Sequence, residues 1–288
     1  MNVQLRPIAQ DDVANCGRIC YQAFKEISEQ HGFRLDFSSP DISTQMLQSL
    51  ADDPAVFGIV AESNGKVIGS NFLWQHDAIA GVGPITIDSK AQSQGVGRLL
   101  MQAVLEHGSD CSGIRLVQDA FNLASFSLYS SLDFDVKEPL VLIEGLVKAP
   151  APAGYELRKM QAEDLDECAA LCNRSIGTGR THGLKRLPSF LTSFVALRDS
   201  HIVAYAAAPH SWAYNHSVAE KQEDLQALLI GVGQLSGKLP LSLLLPTRQS
   251  QLLRWCLSHG MRVIKPMTLM AMGEYREPQT CYTPSVIY

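Results

Sequence analysis

The chain has 288 residues, of which 46% are hydrophobic and 18% are charged, and its mean hydropathy is close to zero. This composition is typical of a soluble globular protein with room for two domains. The formal net charge of −5 and the lack of a Lys/Arg cluster argue against a nucleic-acid partner. The amino terminus lacks a signal-peptide pattern and no apolar run is of membrane-spanning length, so we expect a cytoplasmic protein without a membrane partner.

Seven cysteines are scattered along the chain without a CxxC pair, which predicts reduced thiols and neither a disulfide framework nor a metal site. Two pairs are spaced four residues apart, Cys16/Cys20 and Cys168/Cys172. Two thiols at this spacing make an incomplete metal site, so we interpret them as core packing.

The chain begins with a predicted short strand, an acidic helix cap and an amphipathic helix, and this pattern occurs twice. Residues 3–21, VQLRPIAQDDVANCGRICY, match residues 155–173, YELRKMQAEDLDECAALCN, 152 positions further on. Residues 128–143 likewise resemble residues 255–270 at an offset of 127, so the second copy is 25 residues shorter. The Ala/Pro-rich stretch 147–154 predicts a domain boundary, with domains 1–148 and 149–288.

The first copy continues with a helix that ends near Leu50 and two strands, VFGIVAES and KVIGSNFLW. Asn64-Gly65 between the strands predicts a tight hairpin. A further strand is predicted at GPITID, and the stretch SKAQSQGVGRLL (89–100) follows it directly. Apolar residues at helical spacing from Val96 predict a helix that stops at Gly108. Beyond it, IRLVQDAF predicts a strand, 125–132 a short helix and 140–143 a last strand.

A glycine-rich loop between a strand and a helix can bring backbone N–H groups close to an anion. The stretch 89–100 has this layout, but Leu100 stands where a dinucleotide loop needs its third glycine. Arg98 and Leu99 follow Gly97 where a Walker loop needs Lys and Ser or Thr. Another kind of phosphate cradle and a plain turn both remain open on these residues alone.

The segment Gln92-Ser93-Gln94-Gly95-Val96-Gly97 has the form Q/R-x-x-G-x-G/A and resembles the pyrophosphate loop of the GNAT family of N-acetyltransferases. A second stretch, 122–134, resembles the family pattern N-x-x-A-x-x-x-Y-x-x-x-G-F at Asn122, Tyr129 and Phe134. Ser125 replaces its alanine and Asp133 its glycine; Asp also enters left-handed conformations at helix ends.

The resemblance implies an α/β (α+β) fold of two tandem GNAT-like domains, each a mixed twisted β-sheet flanked by helices. Domain 1–148 is then the catalytic one, and 149–288 is a degenerate copy that packs and shapes the substrate cleft. Its helix at the equivalent place lacks the glycine loop and has Glu220, Glu223 and Asp224 around its start. Carboxylates there cap a helix well but repel a pyrophosphate. Cys256 occupies the position of Tyr129.

The resemblance also implies transfer of an acetyl group from acetyl-CoA to an amine of a small molecule or peptide, by direct attack in a ternary complex. The backbone of 94–98 would hold the pyrophosphate, with Lys90 and Arg98 adding positive charge. The Ile87 N–H would polarise the thioester carbonyl and Tyr129 would protonate the leaving thiolate. The expected cofactor-binding residues are Ile85, Thr86, Ile87, Gln92, Ser93, Gln94, Gly95, Val96, Gly97, Arg98, Asn122 and Ser125.

A general base is needed only to neutralise an ammonium group, and Asp119 is the candidate we assign beside Tyr129. His76, Asp77 and Glu62 are alternatives, and a water relay would also serve. The rival hypothesis is a non-catalytic acyl-CoA-binding sensor or assembly module. The acceptor amine, the acyl-chain preference and the choice between monomer and homodimer are not determined by the sequence.

Overall fold

The structure is a computed structural model that describes residues 2–150, 152–237 and 239–287. The chain folds into two compact units. Unit 1 runs up to Leu116 and includes Phe121–Asp135, whereas unit 2 consists of Val117–Ala120 and the chain from Val136 onward. Both units combine sheets with flanking helices, as the predicted fold class requires.

Unit 1 contains α-helices and a mixed sheet. Its helices are α1 (Val13–Gln30), α2 (Pro40–Asp52), α3 (Val96–His107) and α4 (Leu123–Ser130). Its strands are β1 (Gln4–Pro7), β2 (Val56–Ser63), β3 (Lys66–Trp74), β4 (Ile79–Val82), β5 (Thr86–Ile87) and the first residues of β6 (Gly113–Asp119). The strand order is β1-β2-β3-β4-β6, and β5 also pairs with β3.

Two local predictions in unit 1 are confirmed. Asn64 and Gly65 join β2 to β3 with φ angles of 51° and 71°, the left-handed conformations of a tight hairpin turn. Helix α3 begins at Val96 and ends at His107, and Gly108 follows it as the C-cap. Helix α4 is displaced from its predicted bounds by two residues.

The prediction of one strand over GPITID is wrong in its extent. Strand β4 lies earlier, at Ile79–Val82, and β5 is limited to Thr86–Ile87. The chain leaves the regular ladder at Gly83, where φ is +129°, a conformation that favours glycine. A Gly-Pro dipeptide is a common structure breaker, and Gly83-Pro84 was the available signal for this interruption.

Unit 2 contains the second copy of the repeat together with the last strand of the first copy. Its helices are α5 (Leu165–Ile176), α6 (Thr181–Lys185), α7 (Gln222–Leu235) and α8 (Ser250–Ser258). Its strands are β7 (Asp135–Gly145), β8 (Glu156–Lys159), β9 (Phe194–Arg198), β10 (His201–Ala207), β11 (His216–Ala219), β12 (Leu241–Pro246), β13 (Met261–Gly273) and β14 (Cys281–Thr283). Five of them form a sheet in the order β14-β11-β10-β9-β8.

The last strand of each copy pairs with strands of the other copy. β7 lies antiparallel to β12, from Leu140 opposite Pro246 to Gly145 opposite Leu241. β13 lies between the end of β6 and β7, and the Ala120 N–H donates to the Pro266 carbonyl at 3.2 Å. The compact units therefore divide the chain at other positions than 1–148 and 149–288, although the described residues of 147–154 belong to no helix or strand.

The repeated sequence forms the same cap twice. The Arg6 guanidinium donates to both carboxylate oxygens of Asp12 at 2.6 and 2.9 Å, and Arg158 donates to Asp164 at the same two distances. Each carboxylate also accepts a backbone N–H three residues before it, as in a capping box. The arginine bond lowers the pKa of both aspartates. All four repeated cysteines are buried: Cys16, Cys20, Cys168 and Cys172.

No helix among the described residues has both the length and the apolar character needed to cross a membrane.

Candidate active site

The loop between β5 and α3 has a backbone suited to surrounding an anion. A short 3-10 turn at Ser89–Ala91 leads into four exposed residues, 92–95. Ser93 and Gly95 both have left-handed backbones, with φ of 61° and 81°. Left-handed residues next to right-handed ones turn successive N–H groups toward a common centre, as in anion-binding nests.

The start of α3 leaves backbone donors unused. The first of its hydrogen bonds runs from the Leu99 N–H to the Gly95 carbonyl at 3.1 Å. The N–H groups of Gly95, Val96, Gly97 and Arg98 donate to no acceptor among the residues that the structure describes. The positive end of the helix dipole adds to these donors, so the loop fits a pyrophosphate.

The side chains of the loop hold its own backbone. The Asp88 carboxylate accepts the Lys90 N–H at 3.0 Å. Gln92 Nε2 donates to the Ile87 carbonyl at 3.4 Å, and Gln94 Nε2 donates to the Lys90 carbonyl at 3.1 Å. These contacts leave the backbone, more than the glutamine side chains, to face a ligand.

Helix α3 packs closely against β5 and α4 at Gly97. A Cβ at this position would lie 3.0 Å from Ile87 Cδ1 and 3.3 Å from Leu128 Cδ2. One residue further on, Arg98 donates to the Ser131 hydroxyl at 2.6 Å. The two predicted motifs, the glycine loop and the α4 signature, are therefore in contact.

In α4, the signature residues have clear local roles. The Asn122 side chain caps the helix by accepting the Ser125 N–H at 3.1 Å, so two predicted cofactor residues are bonded to each other. Tyr129 is 6% exposed, and its carbonyl accepts the Phe134 N–H at 3.2 Å. Asp133 has a φ of 65°, the left-handed conformation expected where the family pattern has glycine.

Strand β5 has one edge on β3 and one open edge. Among the described strands, it pairs with β3 alone, because the parallel ladder between β4 and β6 ends at Gly81 opposite Arg115. The Asp88 N–H donates to Ile68 of β3 at 2.8 Å. Since N–H groups alternate along a strand, the Ile87 N–H is directed to the open edge, away from β3.

Asp119, the predicted base, is held in an ion pair that the sequence did not indicate. Its carboxylate lies 2.6 Å from Lys265 Nζ, and the two side chains are almost wholly buried. The Lys265 ammonium also lies 5.2 Å from the centre of the Trp212 ring. The pair belongs to unit 2.

Two of the alternative bases are also engaged. His76 Nε2 lies 2.9 Å from Asp53 Oδ2, and Glu62 binds Arg6 at 3.0 Å. Each of these contacts engages the side chain that would have to accept the proton.

The equivalent helix of the second copy is already capped. The Asp224 carboxylate is fully buried at the start of α7, where it accepts the Lys221 N–H at 3.1 Å and the Tyr155 hydroxyl at 2.8 Å and contacts Arg198. Cys256, at the position of Tyr129, is buried, and burial raises the pKa of its thiol to about 12.

Comparison with known proteins identifies the first copy. The model of the Acetyltransferase (GNAT) family matches residues 20–134, which include the loop and the α4 signature. Residues 20–134 belong to the GNAT acetyltransferase family. The predicted family and enzyme class, a GNAT N-acetyltransferase, are thereby confirmed. Proteins of the GNAT family bind acyl-CoA and act on amines. No curated protein sequence matches the chain.

Solved structures extend the GNAT fold to nearly the whole chain. A Pyrococcus horikoshii protein provisionally named an acetyltransferase has a TM-score of 0.73 and 13% identity over 99% of this chain and 94% of its own. A GNAT N-acetyltransferase from Sphaerobacter thermophilus has a TM-score of 0.63 and 15% identity over 99% and 98%. A tandem GNAT protein of the clavulanic acid biosynthesis pathway has a TM-score of 0.60 and 13% identity over 94% and 98%. At such low sequence identity, these structural similarities establish the fold alone.

Proposed function

We propose that the protein transfers an acetyl group from acetyl-CoA to an amine of a small molecule or peptide, by direct attack in a ternary complex. The proposal rests mainly on the four consecutive backbone N–H groups, from Gly95 to Arg98, that have no acceptor among the described residues. Four donors at the positive end of a helix fit the two negative phosphates of a coenzyme A pyrophosphate.

In this proposal, β5 and α4 surround the thioester end of acetyl-CoA. The Ile87 N–H, on the open edge of β5, donates to the thioester carbonyl as negative charge develops there during attack. Tyr129 gives a proton to the departing thiolate. Asn122 caps α4 with its side-chain oxygen, and its amide N–H groups can donate hydrogen bonds to the pantetheine arm of acetyl-CoA.

The acceptor must reach the carbonyl as a neutral amine, so its ammonium proton has to be removed. Asp119 stays our candidate for this step, although it would have to accept the proton while it contacts Lys265 Nζ at 2.6 Å. A water molecule could carry the proton instead, and a variant of Asp119 distinguishes the two routes.

We assign the donor site to domain 1–148 and treat 149–288 as a degenerate copy with a structural and cleft-shaping role. The buried Asp224 carboxylate supports this assignment, because it already occupies the start of α7 and would repel a phosphate. The expected stoichiometry is therefore one coenzyme A per chain.

The test combines binding with turnover. Calorimetry with coenzyme A gives the affinity and stoichiometry, and pantetheine, which lacks the pyrophosphate, is expected to bind at least tenfold more weakly. Thiol release from acetyl-CoA is then followed with a panel of polyamines, amino acids, aminoglycosides and peptides. Tyr129→Phe should lower kcat about 10²-fold and leave the coenzyme A affinity within twofold of wild type.

Two outcomes contradict the proposal in different ways. Tight coenzyme A binding without turnover on any amine favours the acyl-CoA sensor. Equal affinity for coenzyme A and pantetheine removes the assigned role of the loop.

A further inference from the structure

Trp74 holds the interruption that separates β4 from β5. It is the last residue of β3, it is 6% exposed, and its indole N–H donates to the Gly83 carbonyl at 2.6 Å. The Gly83 N–H donates to the Phe72 carbonyl, also in β3, at 2.9 Å. Both polar groups of Gly83 are therefore tied to β3, one through the backbone and one through the Trp74 side chain.

The segment around Gly83 is a β-bulge. Leu73 of β3 pairs with Val82, but Ser70 pairs with Thr86, so the ladder resumes one residue out of step. The three residues 83–85 stand opposite the two residues 71–72 of β3, so one residue is inserted in this segment. A bulge bends its strand and increases the local twist, which accounts for β5 leaving the direction of β4.

The bulge decides which backbone groups of β5 remain available. The ladder with β6 covers only residues 79–81, before the bulge, and β5 lies after it. Had the strand continued without a bulge, its next N–H groups on this side would have been used by β6. The open edge that presents the Ile87 N–H is therefore a consequence of the turn at Gly83.

A histidine and an aspartate support the indole. The His76 ring meets the Trp74 ring edge-on, with 5.9 Å between their centres, and His76 Nε2 contacts Asp53 Oδ2 at 2.9 Å. The His76 side chain is only 5% exposed. Its packing and its bond to Asp53 fit a support for Trp74 better than the role of a solvent-facing base.

We propose that Trp74 is a positioning residue for the transferase reaction, which sets the direction of the Ile87 N–H by holding the Gly83 carbonyl. The inference rests on the proposed function. It goes beyond it in assigning a role to an indole that is not among the predicted cofactor-binding or catalytic residues. Trp74 acts on the Ile87 N–H, the hydrogen-bond donor that stabilises negative charge in the transition state. It has no part in the pyrophosphate contacts of α3. Loss of its hydrogen bond should therefore lower kcat and leave coenzyme A affinity unchanged.

The test removes the N–H and keeps the ring. Site-specific replacement of Trp74 by 3-benzothienylalanine retains the shape of the indole without its donor, and Trp74→Phe is the encoded counterpart. Misplacement of a catalytic group by about 1 Å can cost about 10²-fold in rate, so we expect kcat to fall about tenfold for a smaller displacement. The coenzyme A dissociation constant should stay within twofold and the thermal midpoint within about 3 °C.

Trp255→Phe is the matched control. Trp255 stacks on His259 with ring centres 4.6 Å apart, in a helix outside the assigned site, and its replacement should leave kcat unchanged. Wild-type turnover by the benzothienylalanine protein refutes this inference alone. A parallel loss of kcat, coenzyme A affinity and thermal midpoint also refutes it, because it indicates general destabilisation. Absence of turnover in the wild type refutes the proposed function and this inference together.

Discussion

Alanine in place of Gly95 would put a side chain on a backbone that has a φ of +81°. No atom lies within 4 Å of the added Cβ, so the substitution has no steric cost from its neighbours. The cost comes from the left-handed conformation, about 1 kcal/mol for an L residue, which is about fivefold in an equilibrium constant.

This cost should lower the affinity for coenzyme A and leave the stability of the free protein nearly unchanged. Residues 92–95 are exposed, and without contacts to hold the new alanine in the left-handed region the free loop can relax into an easier conformation. In the proposed function, coenzyme A meets the N–H groups of Val96 and Gly97 only when the loop has the left-handed arrangement, so binding would have to restore it. Gly95→Ala should therefore weaken coenzyme A about fivefold, with little change in the thermal midpoint.

Gly154→Ala is the matched control for this prediction. Gly154 has a φ of +79° and also has no atom within 4 Å of an added Cβ, but it lies in the predicted linker. The coenzyme A affinity of this variant should equal that of wild type. Calorimetry on the three proteins, with thermal melts in the absence of ligand, measures both quantities. If Gly95→Ala binds coenzyme A as tightly as wild type, or if Gly154→Ala weakens it equally, the assigned loop geometry is wrong.

Three further predictions concern charged groups. Asp12→Asn and Asp164→Asn should each lower the unfolding free energy by about 1 kcal/mol, the typical cost of a lost cap, because the partly exposed Arg6 and Arg158 add little to it. The pKa of both aspartates is lower in the folded state, so their stabilisation is present above the unfolded pKa and is lost as the pH falls through the folded pKa. Urea titrations at pH 7 and pH 3 check this, and an unchanged difference between variant and wild type at the two pH values would contradict it. Lys265→Met should destabilise the chain by about 3–5 kcal/mol, because it removes the cation that contacts the buried Asp119 carboxylate, and Asp119→Asn/Lys265→Met should recover part of the loss. If Asp119 is the base, Asp119→Asn also removes the acidic limb of the kcat pH profile; an unchanged limb assigns the proton to a water relay.

Features with a short sequence range were predictable. Asn64-Gly65 specified its hairpin because both residues readily adopt the left-handed conformation. The spacing of apolar residues from Val96 set the start of α3, and Gly108 set its end. Asp133 was predicted to replace the glycine of the family pattern because aspartate also enters the left-handed conformation at helix ends, and its φ of 65° agrees.

The bulge at Gly83 was missed because its effect depends on a neighbouring strand. The dipeptide Gly83-Pro84 signals an interruption, but only the pairing of β3 with both Val82 and Thr86 reveals one inserted residue. Trp74 carried no signal at all, since an indole at the end of a strand is ordinarily a core residue. Its hydrogen bond to Gly83 appears only when the two strands lie side by side.

The sequence by itself determined the repeat, the local elements, the glycine loop and the family resemblance, because each depends on residues that are near one another in the chain or on a pattern that is copied. The tertiary structure alone decided that β7 pairs with β12, that β13 lies beside β6, and that Asp119 meets Lys265. These contacts join residues far apart in the chain, and their partners are chosen by strand register and by the burial of charge. The spacing of residues along the chain does not encode these partners. A charged residue such as Asp119 at the end of a strand is equally compatible with exposure to water, so the sequence does not show that it is buried against Lys265.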